Sequence, residues 1–145
     1  MSIELKTRVG LKQTEEMIFR CELGNLKIEN LFIDEKNEKV EEKLGPSPAK
    51  LLGLSVLGCL AASFSFCLQK GGFSLPGLNG IAEVTIARNN KGFWRVNKID
   101  IEMVPQIDTP EMRKRVNQCA RFFEQYCIIS ESLRKGFEVN VHMKY

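Results

Sequence analysis

Cys59 and Cys127 are the residues whose setting could do chemistry: each lies in an apolar or aromatic stretch of helical character, GPSPAKLLGLSVLGC and FFEQYCIISESLRKG. A cysteine reacts as its thiolate, and two such thiols in a chain without disulfide spacing point to redox chemistry rather than cross-linking. The chain holds five cysteines, Cys21, Cys59, Cys67, Cys119 and Cys127, an odd number with no CxxC pair. That pattern argues against a secreted disulfide framework and against a zinc knuckle, and in a reducing compartment the expected state is the free thiol. Burial as a small hydrophobe is the commonest fate of free cysteine. Cys67, Cys119 and Cys21, the last on an apolar strand face, are read as packing residues of that kind.

No other constellation competes with these thiols. His142 is the only histidine and falls on the polar parity of the last expected strand, so neither a Cys-His nucleophile nor a histidine metal site is expected, and no cofactor is implied. The formal charge of +3, with acidic residues interspersed among basic ones, leaves no nucleic-acid footprint. The densest basic run, Arg113 to Arg115, reads as a solvated helix face.

The elements that must position the thiols follow from periodicity. Ile3, Leu5, Val9 and Leu11 share one parity, Met17, Phe19, Cys21 and Leu23 share another, and Gly24-Asn25 turns the chain into a third strand near Leu26 to Ile33. Met1 to Leu11 therefore reads as a strand rather than a secretory leader, and a cytoplasmic protein is the expectation. Glu35 to Lys43 has the mixed-charge composition of a mobile loop, one that could cover or uncover the start of the next helix. That helix opens at Ser47-Pro48 and stops at Gly71-Gly72.

Leu51 to Leu68 carries no charge and is about long enough to span a membrane, but its glycines, serines and cysteines, without flanking Trp or Tyr, favour a buried core helix. Gly53, Gly58 and Ala62 offer a small-residue stripe against which a partner helix should lie. Gly80 to Arg88 alternates, Asn89-Asn90-Lys91-Gly92 is a hairpin turn, and Phe93 to Val104 changes parity at a bulge near Asn97-Lys98. Thr109-Pro110 starts a second long helix, with Met112, Val116, Ala120, Phe123 and Cys127 as its buried stripe. Phe137, Val139, Val141 and Met143 alternate through a final strand. The order βββ-α-ββ-α-β makes a single α+β domain spanning 1–145, with two long helices. The uncharged helix, hard for one subunit of this size to enclose, favours a homodimer.

GPSPAKLLGLSVLGCLAASF followed by YCIISESLRKGFEVNV, in this order of elements, resembles the family of osmotically inducible protein C (OsmC) and organic hydroperoxide resistance (Ohr) proteins, and is more similar to the OsmC-like branch. The resemblance implies an intertwined homodimer with the two central helices inside, and thiol-dependent reduction of hydroperoxides in peroxide detoxification. It implies that Cys59 attacks the O–O bond and becomes a sulfenic acid, and that Cys127 resolves it to a disulfide. It also implies a lipoyl-type or other small dithiol as reductant, and an apolar interface pocket for the organic hydroperoxide.

Cys59 lies too far along its helix for the N-terminus to stabilise a thiolate, and apolar burial raises a thiol's pKa, so a nearby cation is expected, Arg20 first and Arg8 as the alternative. Where the resembling reductases carry a glutamate that fixes the catalytic arginine beside the thiol, this chain has Ala49 followed by Lys50, and Glu42 is the acid nearby in the charged loop. A second reading stays open beside the peroxidase: a non-catalytic protein of the same fold that binds an apolar small molecule in the interface cavity.

Overall fold

Apolar period and turn chemistry produce, in the computed structural model, which describes residues 4–145, three strands, a long helix, a two-stranded hairpin and two shorter helices. These are β1 (Gly10–Glu15), β2 (Ile18–Glu22), β3 (Phe32–Asp34), α1 (Pro48–Lys70), β4 (Leu78–Arg88), β5 (Trp94–Pro105), α2 (Pro110–Ala120) and α3 (Ile128–Lys135). The architecture is α+β, with two separate antiparallel sheets. Two compact units divide the chain, Met1–Leu51 and Leu52–Tyr145.

The first unit is the sheet β1-β2-β3. Its strands sit later than the parity of the sequence implies. Leu5 and Val9 are exposed and precede β1, and Ile3 lies outside the described residues. Met17 occupies the β1–β2 turn at φ 62°, so Ile18 rather than Met17 enters the core. The bulge between Gln13 and Glu15 shifts the register at that turn. The third strand is cut to Phe32–Asp34.

The charged segment after β3 is organised by one buried side chain. Asp34 accepts from the amides of Lys36 and Asn37, from the Asn37 side chain, and from the amide of Leu44, at 2.8 to 2.9 Å. These donors hold its carboxyl far below the usual carboxylate range, the Asn37 and Leu44 amides contributing most. Glu35 to Lys43, expected as a mobile loop, is thereby gathered around a carboxylate and contains a 3-10 turn at Val40–Glu42.

The second unit builds on α1. Ser47 accepts from the Lys50 amide at its start, Pro48 takes the first-turn position, and Gly72 at φ 85° ends it. Although apolar all round, α1 buries one stripe, Gly53, Val56, Leu60, Phe64, Cys67 and Leu68. Gly53 lets the helix lie on β4, since a Cβ there would come within 2.8 Å of Val84 Cγ2. Of the small-residue stripe, Gly53 meets a strand, and among the described residues of this chain nothing lies within 4 Å of where a Cβ on Gly58 would stand. The helix that does pack on α1 is α2, through Phe64, Cys67 and Leu68 against Met112, Val116 and Cys119.

The hairpin β4–β5 pairs Gly80 with Met103, Ala82 with Ile101 and Val84 with Ile99, then skips Asn97 so that Ile86 meets Val96. The expected bulge is present, and it brings Val96 and Trp94, opposite Ile86 and Arg88, onto the face that Ile99, Ile101 and Met103 share. Its turn closes with Asn89 Oδ1 accepting from the amides of Lys91 and Phe93.

Three expectations fail in this unit. The second long helix is broken: α2 ends at Ala120, a 3-10 turn covers Phe123–Tyr126, and α3 begins after Cys127. The stripe still reaches the core because Phe123 and Cys127 are carried inward by the tighter turn. The final strand from Phe137 to Met143 does not form among the described residues, where these side chains are exposed and His142 with them. Cys67 and Cys119 are joined in a disulfide with their Cα atoms 5.9 Å apart, rather than packing as free thiols. Helix packing that buries Cys67 opposite Cys119 brings them within bonding range, which spacing along the chain could not reveal.

Candidate functional site

Cys59 comes from the middle of α1 and Cys127 from the residue that starts α3, and the fold packs the two side chains into one cluster, near enough for each thiol to shift the other. Around them pack Val56 and Leu60 of α1, Ile99, Ile101 and Met103 of β5, and Phe123. Cys127 is 1% exposed, whereas Cys59 is half-buried, and both are free thiols.

Cys127 is the N-cap of α3. Its sulfur accepts the amide of Ser130 at 3.4 Å, taking the place that a serine, threonine or aspartate oxygen ordinarily fills. The break after α2 makes this possible, because a cysteine inside a continuous helix would face amides already bonded to carbonyls. The Ser130 hydroxyl is buried without a hydrogen-bond partner, close enough to Cys127 to favour its thiolate.

The two thiols are therefore unlike. Burial pushes Cys127 up, but the Ser130 hydroxyl and amide, the Cys59 thiol and the Ile129 amide together outweigh it, and the group falls below the ordinary thiol value. Burial pushes Cys59 up, the adjacent Cys127 adds to that, and the amides of Ile129 and Ile128 offset only part of it. One proton shared by such a pair belongs mainly to Cys59, with the charge on Cys127. The leading influences on both thiols are burial, each other and the first-turn donors of α3; none is a cation.

Arg20 and Arg8, the expected activating cations, are exposed and belong to the first unit. Ala49 and Lys50 stand in the first turn of α1, with the Lys50 amide on Ser47 Oγ. Ser130 and the α3 amides were not expected as site groups. The trace they leave in the sequence is Cys127-Ile-Ile-Ser130, the N-cap to N3 spacing of a capping motif with sulfur as the acceptor.

Beside the pair lies an apolar cavity of about 340 Å³, lined by Leu60, Phe64, Ile101, Met103, Val116 and Phe123, among others. Leu60, Ile101, Met103 and Phe123 also pack in the cluster that holds the two sulfurs. Glu124 stands at the cavity wall and is bound by Arg134 Nη2 at 2.6 Å; Nη1 of the same guanidinium bonds Glu131. This bridge ties the 3-10 turn to α3 and fixes the position of Cys127 between them.

Known structures share this architecture at low sequence identity. An OsmC-like protein of unknown function from Vibrio cholerae superposes with a TM-score of 0.69 at 12% identity, over 89% of this chain and 94% of that one. An organic hydroperoxide resistance protein from Elizabethkingia anophelis gives 0.63 at 12% identity, over 92% and 91%. The organic hydroperoxide resistance protein OhrB of Bacillus subtilis gives 0.58 at 14% identity, over 90% and 91%. No curated protein sequence matches the chain. The family model described as OsmC-like protein matches residues 40–142, most of the chain and both thiols, and the protein belongs to that family.

Proposed function

We propose that the protein is a thiol-dependent peroxidase that reduces organic hydroperoxides through Cys59 and Cys127. The observation that carries this reading is the packing together of two free thiols, one raised and one lowered in pKa, against Leu60, Ile101, Met103 and Phe123, which also line an apolar cavity. The cavity takes the organic part of the hydroperoxide and leaves its O–O bond beside the sulfurs. Membership of the family, with hydroperoxide resistance proteins among the structural neighbours, supports the redox role.

The shared proton organises the steps. As Cys59 attacks, it passes its proton to the Cys127 thiolate, and its sulfur forms a bond to the peroxide oxygen while the O–O bond breaks. The departing alkoxide takes the proton from Cys127 and leaves as the alcohol, so Cys59 is a sulfenic acid and Cys127 is again a thiolate. Cys127 then attacks the Cys59 sulfur and expels hydroxide, closing a disulfide. The balance is one hydroperoxide reduced to an alcohol and hydroxide while the dithiol monoanion is oxidised to the disulfide. A small dithiol, of lipoyl type in this reading, restores both thiols by two exchanges. The protein works as a homodimer in the cytoplasm.

The test is one equivalent of cumene hydroperoxide added to fully reduced protein, followed by intact mass and peptide mapping. The expected result is loss of two hydrogens on a Cys59–Cys127 peptide, abolished by Cys59→Ser. Unchanged thiols, or oxidation indifferent to Cys59→Ser, sinks the peroxidase and leaves the cavity as a binding site for an apolar small molecule. Ala49, which supplies no carboxylate to place an arginine, is the feature that favours this second reading.

A further inference from the structure

The Cys67–Cys119 disulfide ties α1 to α2 in the core of the second unit, away from any role in the reaction above. Its two sulfurs face different surroundings. Cys119 is fully buried among Phe64, Leu68, Met112 and Val116. Cys67 is 5% exposed and also lines a small hollow of about 50 Å³ between α1 and the end of α2.

That hollow is positive. Its charged lining residues are Lys70 and Arg115, and no acid lines it. The Lys70 ammonium stands 5.0 Å above the Phe66 ring and 6.0 Å from the Tyr126 ring, two aromatics that also line the hollow. Arg115 donates through Nη2 to the Cys67 carbonyl at 2.7 Å and reaches Gln118 Oε1 at 3.5 Å. Its Nε is buried without a partner. The guanidinium lies against Gly71, where any side chain would collide with it. The chain thus places two cations, Lys70 and Arg115, in the hollow that Cys67 lines, while Cys119 lies fully buried on the other side of the bond.

We propose that Cys67 is a thiol–disulfide exchange site for a small anionic thiol, which forms a mixed disulfide there. A volume of about 50 Å³ admits a thiol-bearing arm, while carboxylates on the same molecule stay at the rim against Lys70 and Arg115. In the first step the thiolate of the incoming molecule attacks Cys67 Sγ, the Cys67–Cys119 bond breaks, and Cys119 leaves as a thiolate that takes a proton from solvent. In the second, another thiolate attacks the sulfur of the bound thiol, and Cys67 leaves as a thiolate beside Arg115. Two thiols are oxidised to their disulfide and the protein disulfide is reduced to two thiols. Attack at Cys119 is closed by the core around it.

The experiment incubates the oxidised protein with mercaptosuccinate or with cysteamine at equal thiolate concentration and low salt, then maps adducts by peptide mass after acid quenching. The expected adduct is on Cys67, formed about tenfold faster or more with the dianionic thiol than with the cationic one, the preference shrinking as salt is raised. Lys70→Gln, a surface change, reduces that preference with little effect on the cysteamine rate. Adducts on Cys119, equal rates for the two thiols, or a disulfide that survives both in the folded protein while opening in denaturant each overturns the proposal. Peptide mapping distinguishes these adducts from any at Cys59 or Cys127, so the outcome is independent of the peroxidase reading.

Discussion

Replacing Ser130 with alanine separates the reactivity of Cys127 from the stability of the helix it caps. The Ser130 hydroxyl is buried without a partner and is placed to donate to a Cys127 thiolate, while the Ser130 amide, which bonds that sulfur at 3.4 Å, survives the change. A hydrogen bond to a charged group is worth about 1.5–3 kcal/mol, and about 1.4 kcal/mol corresponds to a factor of ten. On the acid side of its titration, Cys127 therefore loses about tenfold or more of its thiolate. A less acidic thiol is intrinsically more nucleophilic, which offsets about half of that loss on a logarithmic scale. The net expectation is a fall of about three- to tenfold in the rate at which iodoacetamide alkylates Cys127, read by peptide mass between pH 5 and 10.

At high pH the difference vanishes or reverses, because both proteins are then fully ionised. Stability depends on the same ionisation. Below the titration of Cys127, where the thiol is neutral, the hydroxyl leaves the interior without abandoning a partner and Tm is unchanged or rises; above it, the variant lacks the bond to the thiolate and Tm falls. Alkylation within experimental error of wild type across the acid range would refute the assignment of this hydroxyl to the thiolate. A loss of several degrees in Tm with unchanged alkylation would show that Ser130 is structural instead.

Asp34→Ala removes the acceptor for three amides and a side-chain amide, and should cost about 3 kcal/mol or more in urea unfolding at pH 7. Because the folded carboxyl is depressed, its contribution is complete above the unfolded pKa of about 4 and is lost as pH falls below it, so the variant and wild type should converge in stability toward strong acid. A gap that stays constant with pH would contradict the carboxylate's role. Gly53→Ala places a methyl 2.8 Å from Val84 Cγ2 and should lower stability by about 1–3 kcal/mol despite the better helix propensity of alanine. In the Val84→Ala background, where Cγ2 is gone, Gly53→Ala should cost less than in wild type, and a double-mutant cycle of melting curves that shows no coupling would contradict the clash.

The sequence made the scaffold around the thiols legible where a single residue type decides a local geometry. Ser47-Pro48 and Thr109-Pro110 start helices because each supplies an oxygen for a free amide and a ring already at helical φ. The change of parity between Val96 and Ile99 exposed the skipped Asn97. What failed was inference from periodicity to pairing. Phe123 and Cys127 keep the spacing of a helix stripe across a 3-10 turn, so the break was hidden, and with it the cap on which Cys127 depends. Alternation in residues 137–143 records two unlike faces, but a strand also needs a hydrogen-bonded neighbour, which no periodicity encodes. The Cys67–Cys119 bond was invisible for a related reason: it depends on how two helices cross.

Sulfur at the cap of α3 carries a consequence for the helix itself. A thiolate is a better acceptor than a disulfide sulfur, so the first turn of α3 is anchored while Cys127 is reduced and loosened once that sulfur is bonded to another. Amide exchange at Ser130, slow in one state and faster in the other, would then follow electron gain and loss directly. The same helix would be held more firmly by serine, which caps better and reduces nothing; a cysteine there trades anchorage for reactivity.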